Sequence, residues 1–378
     1  MHETTRHISP LQYAIIETTS FMGIGIFEFP RVLVMHAGSD VWWGFLADWL
    51  AAYVGAWLLL KVAYVNPRET LLGAARDILS STPYWIFGIA DTVVHLILPV
   101  LAIAQFSFLV VTFFLPNTPI WLVDIALTAM SVYVTWWDLP ALARTTQVIY
   151  LPVMAISVVL LTLLVPYMTD SYAAIPSLDL HVLPTLTGAF KSLYIFIGFE
   201  VIPIFWPYIR PDEQPRARRY TYLALTAAGV FYSAIIFATL TTENPWYLEH
   251  LQWPAVSALR LINVSGLIIN KLGLLIVVLW GIVSLFFISI RFWAISHVIM
   301  PLIRRRTLTW YRGINVCLAV LVVGVSLRFP NIRAVDTITK KLIPPIIVFV
   351  YAYPVVYLIV ARLLQHRRHH SSPSPANS

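Results

Sequence analysis

The chain has 378 residues, of which 59% are hydrophobic and only 11% charged, with a mean hydropathy of +0.78. A water-soluble domain carries about 25% charged residues, so these charges are too few to cover a water-facing surface, and the chain reads as a polytopic membrane protein. The formal charge of +7 fits a basic cytoplasmic face rather than a nucleic-acid surface, and the single cysteine, Cys317, excludes an internal disulfide framework.

A membrane helix needs about 20 apolar residues. Ten segments qualify, at 9–34, 40–65, 83–114, 118–137, 145–166, 185–208, 218–242, 267–301, 309–328 and 341–364. The reading is a single ten-span domain over residues 1–366, with repeat one at about 8–166, repeat two at about 185–364, and a disordered cytoplasmic tail at 367–378. No cleavable signal peptide is expected ahead of the first span.

Span one contains Phe21-Met22-Gly23-Ile24-Gly25-Ile26-Phe27-Glu28-Phe29-Pro30, in which glycines, a carboxylate and a proline interrupt an apolar run. Asp48 lies in span two, and Asn66-Pro67-Arg68-Glu69-Thr70 leads into an expected short polar helix near 68–80. Span three carries Asp91 and His95, four apart and therefore on one helix face. They are either a proton-sensitive pair or a structural one. Asp124 sits in span four, and span five has no lysine in its apolar part. Span six contains Ile195-Phe196-Ile197-Gly198-Phe199-Glu200-Val201-Ile202-Pro203, preceded by Lys191. Residues 243–266 read as one or two short surface helices, with Trp246, Tyr247 and Trp253 at headgroup level. Span eight carries Arg291 and two serines, Ser284 and Ser289, which are either ion-site hydroxyls or backbone-bonding groups.

The interruptions fall in the first and sixth of ten spans, so the chain divides five plus five, with halves of opposite orientation. Paired broken spans in an inverted repeat mark a transporter-type central site. An unwound turn frees N–H and C=O groups that hydrocarbon cannot satisfy. The N-terminus of the following half-helix suits a carboxylate, and freed carbonyls suit an ammonium or a cation. An amino acid carries both groups. Close helix packing is the competing explanation for any one of these glycines. Among the intramembrane charges, Glu200 follows a break, Glu28 and Arg31 are spaced to neutralise each other, and Glu17 lies earlier in span one.

With the N-terminus inside, sixteen lysines and arginines fall on cytoplasmic segments and six on external ones, which places both termini in the cytoplasm. The run from Arg328 to Lys341 opposes this rule. Motifs for phosphate binding, zinc hydrolysis or paired cysteines are absent from the sequence. No enzyme activity, catalytic residue, metal or cofactor is therefore expected, and the histidines at 366, 369 and 370 belong to a solvated basic tail.

GIGIFEFP at Gly23–Pro30 resembles the GxGIFxxP signature of the amino acid–polyamine–organocation transporters, and FIGFEVIP at Phe196–Pro203 resembles the GFE segment of that superfamily. Within it the chain is most similar to the spore germination permease family, the B subunits of GerA-type nutrient germinant receptors. ISPLQ at Ile8–Gln12, FLPNTPIWL at Phe114–Leu122, WPAVSALRLI at Trp253–Ile262 and RFPNI at Arg328–Ile332 carry this likeness, which runs from Ile8 to about Arg362. It implies an all-α membrane protein with a LeuT-like five-plus-five inverted repeat and broken helices one and six. It also implies a germinant-sensing subunit in the inner membrane of a bacterial spore, recognising a nutrient such as an amino acid. Its partners would be an A-type subunit and a C-type lipoprotein subunit. By motif, the ligand-facing backbone would be that of Gly23, Ile24 and Gly25, then of Phe196, Ile197, Gly198 and Phe199, with Glu200 beside them. Phe27 is either an aromatic wall of that site or a packed core ring. Proton-coupled relatives place a lysine in span five; its absence here argues for a receptor over a metabolic permease. The alternatives are an autonomous secondary amino-acid transporter and an ion-conducting or structural subunit.

Overall fold

The computed structural model describes residues 7–68, 81–170, 174–263, 275–300 and 307–370, and every regular element among them is helical. The first helix, α1 (Pro10–Phe21), starts at a capping box. Ser9 Oγ accepts from the Gln12 N–H at 3.2 Å, and the Gln12 side chain accepts from the Ser9 N–H at 3.0 Å. These contacts satisfy donors that a helix start leaves orphaned. A single 3-10 turn, Ile24–Phe27, follows, and then α2 (Phe29–Ala37). Pro30 lies in the first turn of α2, where its missing N–H costs nothing and its fixed φ is already helical. It therefore restarts the chain after the break.

Next come α3 (Val41–Val65), α4 (Ser81–Phe113), α5 (Ile120–Thr135) and α6 (Leu139–Leu164). The second broken span is α7 (Val182–Ser192), the 3-10 turns Leu193–Phe196 and Phe199–Val201, and the short α8 (Ile202–Phe205); its two halves meet at 51°. The remaining helices are α9 (Gln214–Thr242), α10 (Pro245–Leu248), α11 (Pro254–Leu259), α12 (Leu275–Ile299), α13 (Leu308–Ser326) and α14 (Ile332–His370).

By length and hydropathy, seven described helical stretches can cross a membrane, or eight if the bent pair is one span. This is short of the ten expected. The first expected span is split into α1 and α2, with α2 counted together with α3, and α5 has only 16 residues. The centre of the bundle is α12, which packs against α4, α5 and α1; α1 also contacts α9 and α6. On the other side α2 packs on α7, and α3 on α7 and α8. The peripheral helices α6 and α13 leave large apolar side chains uncovered, as at Val148 and Val320, which is the surface a lipid-facing helix presents.

Two expectations for the connections change. Trp246 and Tyr247 are exposed, but Trp253 is buried with its ring edge-on to Phe113 at 5.8 Å. The run Pro254–Leu259 is apolar on most sides, so α11 sinks against α9, α6, α2 and the turn Ile24–Phe27 rather than lying on the surface. At the C-terminal end, residues 367–370 continue α14 instead of beginning the expected tail. The polar helix near 68–80 and the tail beyond 370 lie outside the described residues, apart from Arg68 itself.

Candidate functional site at the two helix breaks

The two breaks touch directly. Gly198, at φ 156°, has no side chain, and a Cβ there would collide with the backbone of Ser20 and Phe21 at the end of α1. Gly25 does the reverse: a Cβ on it would come within 2.5 Å of the Tyr194 ring in the second break. Each break thus supplies a glycine against which the other is seated.

The carbonyls released where α1 ends find donors on distant helices. Ser20 O accepts from Arg291 Nη2 at 3.2 Å, and Gly23 O accepts from Trp280 Nε1 at 3.3 Å, both from α12. Tyr232 Oη of α9 lies 3.1 Å from Phe21 O in one break and 3.0 Å from Ile195 O in the other. One hydroxyl proton therefore faces one acceptor from each half. Sequence reasoning gave no role to Tyr232, Trp280 or Tyr194. Their only signal was a polar tip on an aromatic ring within an apolar span.

A cavity of about 60 Å³ lies at the breaks, lined by Gly23, Gly25 and Ile26 of the first and by Tyr194, Ile195 and Ile197 of the second. At about 10–15 Å³ per water-sized group it holds a handful of such groups. Leu98, Leu101, Ala102 and Gln105 of α4, Phe287 of α12, and Thr339 and Ile343 of α14 complete it. Its walls are mainly apolar. Polar groups come from Gln105, Thr339 and the glycine backbone, and from the Tyr194 hydroxyl, which has no hydrogen-bond partner. N–H groups that open a helical turn have no acceptor within it, and Gly23 and Gly25 bring that edge of the turn Ile24–Phe27 to the cavity.

Tyr194, Thr339 and Ile343 also line a second cavity, of about 50 Å³, beside Glu28, Arg31, His36, Lys191, Asp336 and Lys340. Between α2 and α14 an ion-pair network closes this region. Arg31 bonds Glu28, the residue just before its own helix, and reaches Asp336 at 3.3 Å and Gln252 Oε1 at 3.1 Å. Gln252 Nε2 in turn donates to both carboxylate oxygens of Asp336, at 3.0 and 2.9 Å. The pairing of Glu28 with Arg31 is as the sequence spacing implied. Asp336, an acid within the run from Arg328 to Lys341, is the partner that sequence spacing does not indicate.

The other candidate residues distribute as follows. Phe27 is buried edge-on to Trp280 at 5.7 Å and lines a separate apolar void. Phe196 packs with Phe45 and Tyr232, and Phe199 with Tyr351. All three are core rings here. Ile24 contributes backbone to the turn. Glu200 pairs with Arg291 at 2.9 Å, both fully buried. Asp91 and His95 share their face as expected but approach only to 3.8 Å, and neither His95 nitrogen has a hydrogen-bond partner. Ser289 Oγ lies 2.8 Å from Leu285 O and 3.1 Å from Ser131 O, two backbone acceptors for its one proton, while buried Ser284 has no partner. Glu17 accepts from Thr221 and Asp48 from Ser192, so each ties a span to its neighbour. Lys191 is exposed. Among the described residues, no cluster of His, Cys, Asp and Glu could hold a metal ion.

Broken, apolar helices meeting at a small central cavity define a permease-type membrane protein. A solved structure of a Na+-coupled sialic acid symporter in a substrate-bound outward-open state superposes with a TM-score of 0.61 over 95% of this chain and 78% of that one, at 12% identity; the fold is LeuT-like. The family described as spore germination protein matches residues 7–331, and the chain belongs to it. Curated relatives include the spore germination protein GerQB of Bacillus cereus, 19% identical over 77% of this chain and 79% of that one. YndE of Bacillus subtilis is 21% identical over 83% and 86%. The spore germination protein B2 of the same organism is 18% identical over 74% and 75%. The family is permease-like, not enzymatic.

Proposed function

We propose that the chain is the nutrient-sensing subunit of a spore germination receptor, binding its ligand at the two helix breaks. The observation that carries this reading is the cavity walled by both breaks, since a group bound there touches both halves of the molecule at once. The start of the turn Ile24–Phe27 offers N–H donors to a carboxylate. Leu98, Leu101, Ala102 and Ile197 offer a short apolar side chain its surroundings. An amino acid with a small apolar side chain meets both demands. The cavity measures about 60 Å³, and the Arg31–Asp336 network lines the adjoining one, which shares Tyr194, Thr339 and Ile343 with it. Ligand entry requires α2 and α14 to part, and closure on the ligand is the two-state change passed to A-type and C-type lipoprotein subunits. The chain lies in the spore inner membrane with both termini in the cytoplasm.

The test is germination of spores carrying Gly25→Leu or Ala102→Leu, with the partner subunits present, on L-alanine and on a panel of other amino acids. Both variants are expected to lose or redirect the response while protein levels persist. A response unchanged for every nutrient would remove the site from these breaks. The likeness to a symporter supports a second reading, autonomous uptake. Gradient-driven amino-acid accumulation by the isolated chain in liposomes would favour it over the receptor.

A further inference from the structure

We propose that Arg291 is a tethered cation that fills the place at the broken helix ends where a free metal cation would otherwise bind, so that this chain changes conformation without sodium. The proposal rests on the breaks being the moving centre, but its test needs no ligand.

The C-terminal end of a half-helix carries partial negative charge on its unpaired carbonyls, and inside a membrane such ends collect cations. Here α1 ends at Ser20 and Phe21, and the Glu200 carboxylate of the second break lies within reach of the same guanidinium. Carbonyl and carboxylate oxygens meeting in a dry interior are the kinds of donor a small hard cation takes. The Arg291 side chain lies among them. Its Nη2 lies 3.2 Å from Ser20 O and 2.9 Å from Glu200 Oε1, and Nη1 donates to Phe287 O at 3.3 Å. The side chain is fully buried, and its guanidinium lies 3.6 Å from the centre of the Phe287 ring. A guanidinium stays charged at any relevant pH. A sodium ion at the same oxygens would sit against a fixed like charge, which a low-dielectric interior does not tolerate.

The position also does mechanical work. Phe287, held beneath the guanidinium, is the ring that a Cβ on Gly23 would meet at 3.2 Å, and it lines the cavity at the breaks. Arg291 thus holds the end of α1, the second break and one cavity wall in a single arrangement. It is a positioning residue: it touches the elements that would surround a ligand, not the ligand.

The experiment measures the thermal midpoint of the full chain in detergent, in sodium chloride and in choline chloride at equal ionic strength. Wild type and Arg291→Lys are expected to melt alike in both salts. Arg291→Ala is expected to melt lower in choline chloride and to recover by about 2–4 °C with sodium or low millimolar guanidinium. That recovery should vanish when Glu200→Gln is added. Selective stabilisation of the wild type by sodium would overturn the proposal. So would an Arg291→Ala protein that neither cation restores. If Arg291→Ala does not fold, the wild type and Arg291→Lys decide: sodium dependence in either refutes it, and its absence from both upholds it. Failure here leaves the germination response of the cavity variants untouched, so the two readings fall separately.

Discussion

At Gly198 the second break uses two properties of glycine together. Its φ of 156° strains any L side chain, and the space a Cβ would take is filled by the backbone of Ser20 and Phe21. Backbone strain alone costs about 1–3 kcal/mol, and here the obstacle is main chain, which has little freedom to yield. Gly198→Ala is expected to lose at least about 2 kcal/mol of stability, read as a lowered thermal midpoint in detergent. A midpoint equal to wild type would show that the breaks do not seat as described. Tyr232 is the complementary case. Tyr232→Phe keeps the ring packed on Phe196 and Phe29 but removes the hydroxyl proton that faces Phe21 O and Ile195 O. An unsatisfied buried acceptor costs about 1–3 kcal/mol, so this variant should fold yet melt earlier. Wild-type stability in Tyr232→Phe would mean that neither carbonyl depends on the hydroxyl.

Between elements, the decisive contact is the closure of α2 on α14 through Arg31, Glu28, Asp336 and Gln252. Ile343 lies beneath it and lines both cavities. In a Cys317→Ser background, Ile343→Cys is expected to react slowly with a membrane-impermeant maleimide. Adding Asp336→Asn should speed that reaction about tenfold for each ~1.4 kcal/mol of closure lost. An unchanged rate would show that the network does not guard the cavity. The elements themselves were largely legible in the sequence. Gly23, Gly25 and Pro30 write the first break in local backbone chemistry, and Gly198 with Pro203 writes the second. What satisfies those breaks was not legible. Tyr232, Trp280 and Arg291 come from helices far along the chain, and helical periodicity says which face a residue is on, not which carbonyl it meets. Trp253 misled for a related reason. An aromatic with a polar tip suits a headgroup layer, but the apolar turn after it had a buried place against α9 and α6 that only the packed bundle reveals.

At the scale of the whole molecule, the uneven placement of lysine and arginine fixes the expected orientation. In cells producing the Cys317→Ser chain, Asn117→Cys and Leu178→Cys should label from outside, and Asp212→Cys only after permeabilisation; the reverse pattern would invert the topology. The interlocked glycines carry a further consequence at this scale. Gly198 rests on the first break, and Gly25 rests on Tyr194 of the second. Neither break can rewind or slide without displacing the other, as meshed teeth share one rotation. States in which one half has switched and the other has not are thereby crowded out. A molecule built this way has two states and no half-switched form, so each ligand that is bound commits both halves together.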